Sequence, residues 1–386
     1  MRRASAPSIR ERPEDFLVEE LTLFEPSGDG DHLALLIQKR GLDHQRMVRR
    51  VAKAFGVSQS AVGWAGMKDR HAVTLQWITI KCKDDRSAAI DADDLRVVRA
   101  TRHARGLRLG QLTGNRFIIR IRQLDPTAAP RLMQRLTALA RSGLPNRFMS
   151  QRFGYRGANQ LLGGRLLRKD WSGALRCWLG TEGPEWPEAE TPRRAQFNRG
   201  EFNAAASAWP VSWKAERQAL RQLAEGGSPD QVLAEVPRSM KRLWTDAFQS
   251  AIFNDVLDRR AAEGTIASLA DGDVSWSHER LLSEIDAAGP SEVPTGPLWG
   301  RRMRRAAGGV DHAEVQALRA AGLSLDMIGA PGMPRGNRRP LLVPVGAPRC
   351  ESGFDDHGGY VEVGFELGKG SYATAVVDAL IRPDAT

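Results

Sequence analysis

The residues of this chain best suited to chemistry lie in Gly66-Met67-Lys68-Asp69-Arg70-His71-Ala72-Val73-Thr74-Leu75-Gln76. A carboxylate, two cations and a histidine occupy consecutive positions, after a glycine-paired turn (Gly63, Gly66) and before the apolar run of Trp77-Ile78. By residue pattern alone, Asp69 reads as a turn or capping aspartate whose carboxylate satisfies nearby backbone N–H groups. No Asp, Glu or His partner sits at metal-ligand spacing. An aspartyl-phosphate chemistry would want a second aspartate two residues on, where His71 stands. A phosphate-binding loop would need the Gly-Lys-Ser/Thr ending that Gly63-Trp64-Ala65-Gly66-Met67-Lys68 lacks.

The elements that must hold this stretch are legible as alternating strands and amphipathic helices. Phe16–Leu21 reads as a strand, residues 25–31 as turn chemistry and His32–Lys39 as a returning strand, so 16–39 is expected to be a hairpin. Asp43 is placed to cap a helix that carries Val48, Val51, Ala52 and Phe55 on one face and stops at Gly56. A second short helix is expected at 58–62 and strands at 77–81 and 95–99, and residues 112–122 read as a turn feeding a strand. In the last of these, Phe117, Ile119 and Ile121 share one face and Arg116, Arg120 and Arg122 the other. An apolar core face backed by an arginine face suits a sheet that lines a nucleic-acid cleft. Residues 127–142 read as a helix.

Composition changes near Pro145. Residues 160–178 and 201–262 have helical periodicity, clearest at 240–262, and the Pro- and Glu-rich stretch 182–194 is expected to loop out. Basic clusters recur at 301–305 and 335–339. The strand at 360–367 and the helix at 372–381 match the character of the first 140 residues. The expected organisation is therefore a catalytic domain built from 1–145 and 347–386, interrupted by an inserted, mostly helical domain at 146–346.

The 386 residues are 41% apolar and carry a net charge of +10, and no apolar run is long enough for a membrane span. That charge favours a polyanionic partner. Eight arginines and no Asp or Glu lie between Arg96 and Arg122, which concentrates it. Cys82, Cys177 and Cys350 are odd in number and far apart, which argues against a disulfide framework or zinc site and for a reducing compartment. The first residues lack the apolar core of a secretory signal, so a cytoplasmic protein is expected.

The stretch 66–76 resembles the signature Gly-x-Lys-Asp-x-x-Ala-x-Thr-x-Gln of the TruD family of pseudouridine synthases. Five further blocks agree in order: Asp15-Phe16-Leu17-Val18-Glu19-Glu20, Gly114-Asn115-Arg116-Phe117, Gln151-Arg152-Phe153-Gly154, Gln249-Ser250-Ala251-Ile252-Phe253-Asn254 and Gly370-Ser371-Tyr372-Ala373-Thr374. The resemblance implies an α+β fold, with a mainly antiparallel catalytic sheet and an inserted domain facing it across a basic cleft. It implies an isomerase that converts uridine to pseudouridine in tRNA, at position 13 of the D-arm. No metal or organic cofactor is implied, the partner is tRNA, and no obligate protein partner is implied, so a monomer is expected.

Residue by residue, the resemblance makes Asp69 the nucleophile that detaches uracil and lets it rejoin through carbon 5. It makes Phe16, Asn115, Phe117 and Tyr372 the walls of a uridine pocket. A base taken out of its stack needs such a replacement aromatic surface. Lys68, Arg120 and Arg122 are candidates for supporting the carboxylate or contacting phosphate. Glu20 is expected to pair with an arginine. The alternatives are a pseudouridine synthase for another RNA and a non-catalytic RNA-binding or tRNA-folding protein of the same fold. The chain departs from the family at Asn146-Arg147-Phe148-Met149, where Arg147 and Met149 replace an aromatic and a glycine. Residues 181–212 read as an extended insert.

Overall fold

A computed structural model describes residues 7–23, 25–285, 287–330 and 333–382. Its contacts divide the chain into two units. One gathers the chain up to Leu144, Ser277–Glu292 and everything from Leu342; the other comprises Pro145–Trp276 and Val293–Leu341. The return of 277–292 to the first unit is not anticipated by the sequence boundaries.

The first unit is built on a nine-stranded sheet of β1 (Phe16–Thr22), β2 (His32–Arg40), β3 (Val62–Trp64), β4 (Val73–Lys81), β5 (Asp91–Ala92), β6 (Leu95–His103), β7 (Leu112–Arg122), β8 (Val345–Asp355) and β9 (Gly358–Gly368). Its order is β8-β9-β7-β1-β4-β2-β6-β5, with β3 on β4. β1 and β4 run parallel; β7, β8, β9, β2 and β6 pair antiparallel. The fold is α+β with a mostly antiparallel sheet.

The strands expected at 16–39 are present, but they do not form a hairpin. β4 lies between β1 and β2, pairing Leu17 with Val73 on one side and Arg40 with Val73 on the other. The physical reason is burial. β4 is almost continuously buried, from Thr74 through Gln76 to Ile80, and such a strand belongs in the centre of a sheet. The connection from β1 to β2 is long enough to step over it.

Helix α1 (His44–Phe55) starts where Asp43 Oδ1 accepts from the backbone N–H of Gln45 and Arg46, at 3.0 and 3.2 Å, and ends at Gly56 in the left-handed conformation (φ 66°). Its Met47, Val48, Val51 and Phe55 pack on Leu33, Leu35 and Ile37 of β2 and Ile78 and Ile80 of β4. Helix α2 (Ala129–Ser142) packs on β8 and β9, and the closing helix Ala373–Ile381 packs on α2.

The second unit is mainly helical. Helix α3 (Ala158–Leu167) lies against the long helix α4 (Arg238–Ala262). The approach is close enough to require glycine: a Cβ on Gly163 would stand 2.0 Å from the Trp244 carbonyl oxygen. The stretch expected to loop out is instead folded in. Thr191–Asn198 is a helix, and Arg194 is buried among Trp186, Glu190 and the carbonyls of Trp178 and Gly180. Pro and Glu marked turns there, but the tryptophans supply a core that a local reading of 182–194 does not see. Within the cluster at 335–339 one arginine also turns inward, while Arg335 stays exposed. Arg338 is buried in a bidentate pair with Glu314, both N–O distances being 2.7 Å.

Among the described residues, no helix is long and apolar enough to cross a membrane, and no group of His, Cys, Asp and Glu is arranged to hold a metal.

Candidate active site

Register places the signature stretch over one face of the sheet. Glu20 stands opposite Asn115, Val18 opposite Phe117 and Phe16 opposite Ile119, while Val18 also pairs with Thr74. Because side chains alternate along a strand, Phe16, Val18 and Glu20 share a face with Thr74 and Gln76 and with Asn115 and Phe117. The segment 65–72 lies on this face. Gln76 Nε2 donates to the Gly66 carbonyl at 3.3 Å. A Cβ on Gly66 would fall 3.3 Å from Lys68 Nζ and 3.7 Å from Glu20 Oε2, so the turn rests directly on that pair.

Three cations organise the turn. Lys68 is buried and its Nζ sits 2.6 Å from Glu20 Oε2, whose side chain is fully buried. Burial pushes the Glu20 carboxyl up, and the Lys68 ammonium opposes that shift. Lys39 is fully buried on β2, and its Nζ donates to the carbonyls of Leu42 (3.0 Å), Lys68 (3.3 Å) and Asp69 (2.5 Å). Burial lowers its pKa to about 8, against the pull of the Asp69 and Asp43 carboxylates. Arg10 holds the functional end of Asp69: its Nη2 lies 3.1 Å from Asp69 Oδ2, and its guanidinium stacks 3.9 Å from the centre of the Phe16 ring. Arg10 adopts φ 65°, a left-handed conformation that side chains other than glycine rarely take and that clusters at functional sites.

Asp69 is thus fixed at both ends, its carbonyl by Lys39 and its carboxylate by Arg10. The carboxylate remains half-exposed, with a side-chain exposure of 51%. The floor beside it is buried and under-satisfied. Thr74 Oγ1, Gln76 Oε1, Asn115 Oδ1 and Trp64 Nε1 have no hydrogen-bond partner among the described residues, nor does either ring nitrogen of His44. Folded proteins rarely leave such groups unpaired, and a cluster of them fits a polar ligand with its own donors and acceptors. His44 begins α1, edge-on to Trp64 at 5.2 Å. Burial, and then the Lys39 charge, lowers its pKa to about 4, so the imidazole is neutral and offers one donor and one acceptor.

The predicted residues are placed unequally. Asp69, Lys68 and Asn115 belong to this region. Phe16 and Phe117 are core side chains, edge to face at 6.1 Å, and Phe117 also packs on Phe365 at 5.6 Å. Phe16 bears on the site by carrying Arg10. Tyr372 is half-buried and caps the closing helix, in the turn whose Lys369 N–H donates to the Thr113 carbonyl beside the start of β7. Arg120 and Arg122 point to the opposite face of β7 from Asn115 and Phe117.

The arginine face of β7 does not offer free cations. Arg122 is 2% exposed and bidentate to both Asp15 and Asp355; those hydrogen bonds, Asp355 first, hold its pKa above the usual arginine value. Arg120 pairs with Glu362 at 2.9 Å and stacks on Tyr360. Arg116 is bound by Glu19 and Glu366. Glu20 pairs with a lysine and not with an arginine. Sequence reasoning passed over Arg10, Lys39 and His44. Only backbone geometry distinguishes Arg10, and only burial distinguishes Lys39.

The family model described as "tRNA pseudouridine synthase D (TruD)" matches residues 4–379. The tRNA pseudouridine synthase D of Geobacter sulfurreducens is 36% identical, over 97% of this chain and 93% of that protein. Its namesake from Geobacter metallireducens is 35% identical, over 98% and 96%. The crystal structure of the putative tRNA pseudouridine synthase D from Methanosarcina mazei superimposes with a TM-score of 0.83 at 26% identity, covering 98% of this chain and 94% of that one.

Proposed function

The chain belongs to the TruD family of tRNA pseudouridine synthases, which makes it an isomerase, and on that premise we propose that Asp69 is the nucleophile with which it converts uridine 13 in the D-arm of tRNA to pseudouridine. The reaction breaks the bond between N1 of uracil and C1′ of ribose. It forms one from C5 to C1′, moves a proton from C5 to solvent and returns one to N1. An ionised carboxylate next to the ribose can begin this by adding at C1′ or by removing the C2′ proton, and both routes start from Asp69 at the ribose.

The observation that carries the reading is the two-ended fixing of Asp69 beside an unsatisfied polar floor. Arg10 aims the carboxylate without burying it, which preserves its reactivity. Asn115, Gln76 and Thr74 present buried atoms that match the edge of a pyrimidine or the hydroxyls of ribose. Tyr372 is proposed to pack on the extruded base, with Phe16 and Phe117 acting beneath it as the rigid support. Lys68 is assigned to Glu20 and the turn. Arg122 is assigned to the fold, and Arg120 to the pairing of β7 with β9. The partner is tRNA, with no cofactor, and the protein is proposed to act as a cytoplasmic monomer with the catalytic domain formed from both ends of the chain.

Pseudouridine mapping by carbodiimide modification and primer extension tests this on tRNA treated with the protein or with Asp69→Ala. A single new stop in the D-arm, present with the wild type and absent with the variant, is expected. A stop elsewhere would refute the site, and equal product from both proteins would refute Asp69.

A further inference from the structure

A large groove lies wholly within the second unit, whereas Asp69 belongs to the first. It has a volume of roughly 900 Å³. Arg152, Lys169, Arg238, Lys241, Arg242 and Arg335 line it, against the single carboxylate of Asp246. Arg238, Lys241, Arg242 and Thr245 recur at three- and four-residue spacing, so the first turns of α4 present one continuous cationic stripe. Beneath the charges the lining is apolar, from Leu166, Leu298 and Met333, with Trp171 beside them.

Three of these cations are not spent on the fold, whereas Lys241 donates to the carbonyls of Leu233 and Ala234 and Arg152 to Ser250 Oγ. Arg238, Lys169 and Arg335 are exposed and have no ion pair or side-chain hydrogen bond among the described residues. Asp246 is shared at long range by Arg152 (3.9 Å) and Arg242 (3.7 Å). Lys169 also occupies the left-handed position just past the end of α3 (φ 58°), where glycine is the usual residue. The paired arginines of β7 and the buried Arg338 make the contrast: those carry their own carboxylates, and this groove does not.

We propose that this groove binds an unpaired stretch of RNA, with phosphates on the cationic rim and bases on the apolar floor and Trp171. The proposal takes its partner from the reading that the substrate is an RNA. A groove with six cations and one carboxylate selects a polyanion, and its apolar floor has nothing to pack on in a duplex, whose base faces are stacked inside. Single strands satisfy both halves, because every base has an apolar face.

The test uses the full-length protein and fluorescence anisotropy with labelled oligocytidylate of about twelve nucleotides, a length typical of single-strand sites. This probe contains no uridine to engage Asp69. The double variant Arg238→Glu/Arg335→Glu is expected to bind it roughly tenfold more weakly and with a shallower salt dependence. Arg217→Glu/Arg221→Glu, the same charge change elsewhere in this unit, is expected to bind like the wild type. With tRNA as substrate, the double variant should raise KM and leave kcat within about twofold, since it removes binding made equally in ground and transition states. Unchanged affinity in the double variant, or no binding by the wild type at low salt, overturns the proposal. Equal affinity for a G·C duplex of the same length overturns the single-strand assignment. Weaker oligocytidylate binding by the double variant, together with no pseudouridine from the wild type, would keep the groove and refute the proposed reaction.

Discussion

Lys39 shows how a residue with no reach to the substrate can govern a site. Its ammonium is the common donor to three carbonyls, two of them at Lys68 and Asp69. Replacing it with methionine keeps the volume and removes every one of these bonds. Misplacing a reacting group by about 1 Å costs on the order of a hundredfold, so Lys39→Met should lower kcat about ten- to a hundredfold while tRNA affinity stays within about twofold. Steady-state kinetics and a binding titration separate the two. Because the Lys39 pKa is about 8, wild-type kcat should also fall as pH rises through that value, and the variant should lack this limb.

His44 gives a stability counterpart. Its folded pKa is about 4, below the ordinary 6.5. The unfolded chain therefore binds more protons between those values, and stability must fall as pH drops through that window. The effect is worth up to about 3 kcal/mol. Lys39 and Lys68 oppose the protonation of His44 and Asp43 favours it; burial outweighs all three. His44→Phe keeps the edge contact with Trp64 and cannot titrate, so urea midpoints measured from pH 7 to pH 4 should decline less for the variant than for the wild type.

At the scale of the element, β7 carries two kinds of information on its two faces. Asn115, Phe117 and Ile119 face the site and the core, whereas Arg116, Arg120 and Arg122 knit β7 to β1 and β9 through carboxylates. Removing one member of a buried pair costs about 3–5 kcal/mol and an exposed pair contributes at most about 1 kcal/mol. Arg122→Ala should therefore lower thermal stability markedly and Arg120→Ala only slightly, and neither should change the salt dependence of tRNA binding.

The alternation of β7 was legible because it is local, though its first residues, read as a turn, are strand; so were α1, which Asp43 and Gly56 punctuate, and the strand and helix that end the chain. The pairing of β1 with β4 was not legible, because it joins segments separated by all of β2, α1 and β3. Nor was the fate of the arginines, since their partners Asp15, Asp355 and Glu362 lie far away in sequence. Within the site, Asp69 and Asn115 could be found from their motif. Arg10 required knowledge of its φ and of the ring beneath it.

At the scale of the molecule, the proposed site and the proposed groove lie in different units, so the reading divides chemistry from purchase on the substrate. The sheet unit holds Asp69 with Arg10 and Lys39 on either side, and its basic strands are largely neutralised within the fold. The helical unit keeps unpaired cations around an apolar groove. This division predicts that charge reversals in the groove change KM, while substitutions around Asp69 change kcat. The central claim is tested most directly by tritium release from tRNA labelled at uridine C5, because the proton leaves C5 only when uracil rejoins through that carbon. With enzyme in excess, the wild type should release tritium, and Asp69→Asn should release none while binding the tRNA within about twofold of wild-type affinity. Release by Asp69→Asn at the wild-type rate would contradict the account.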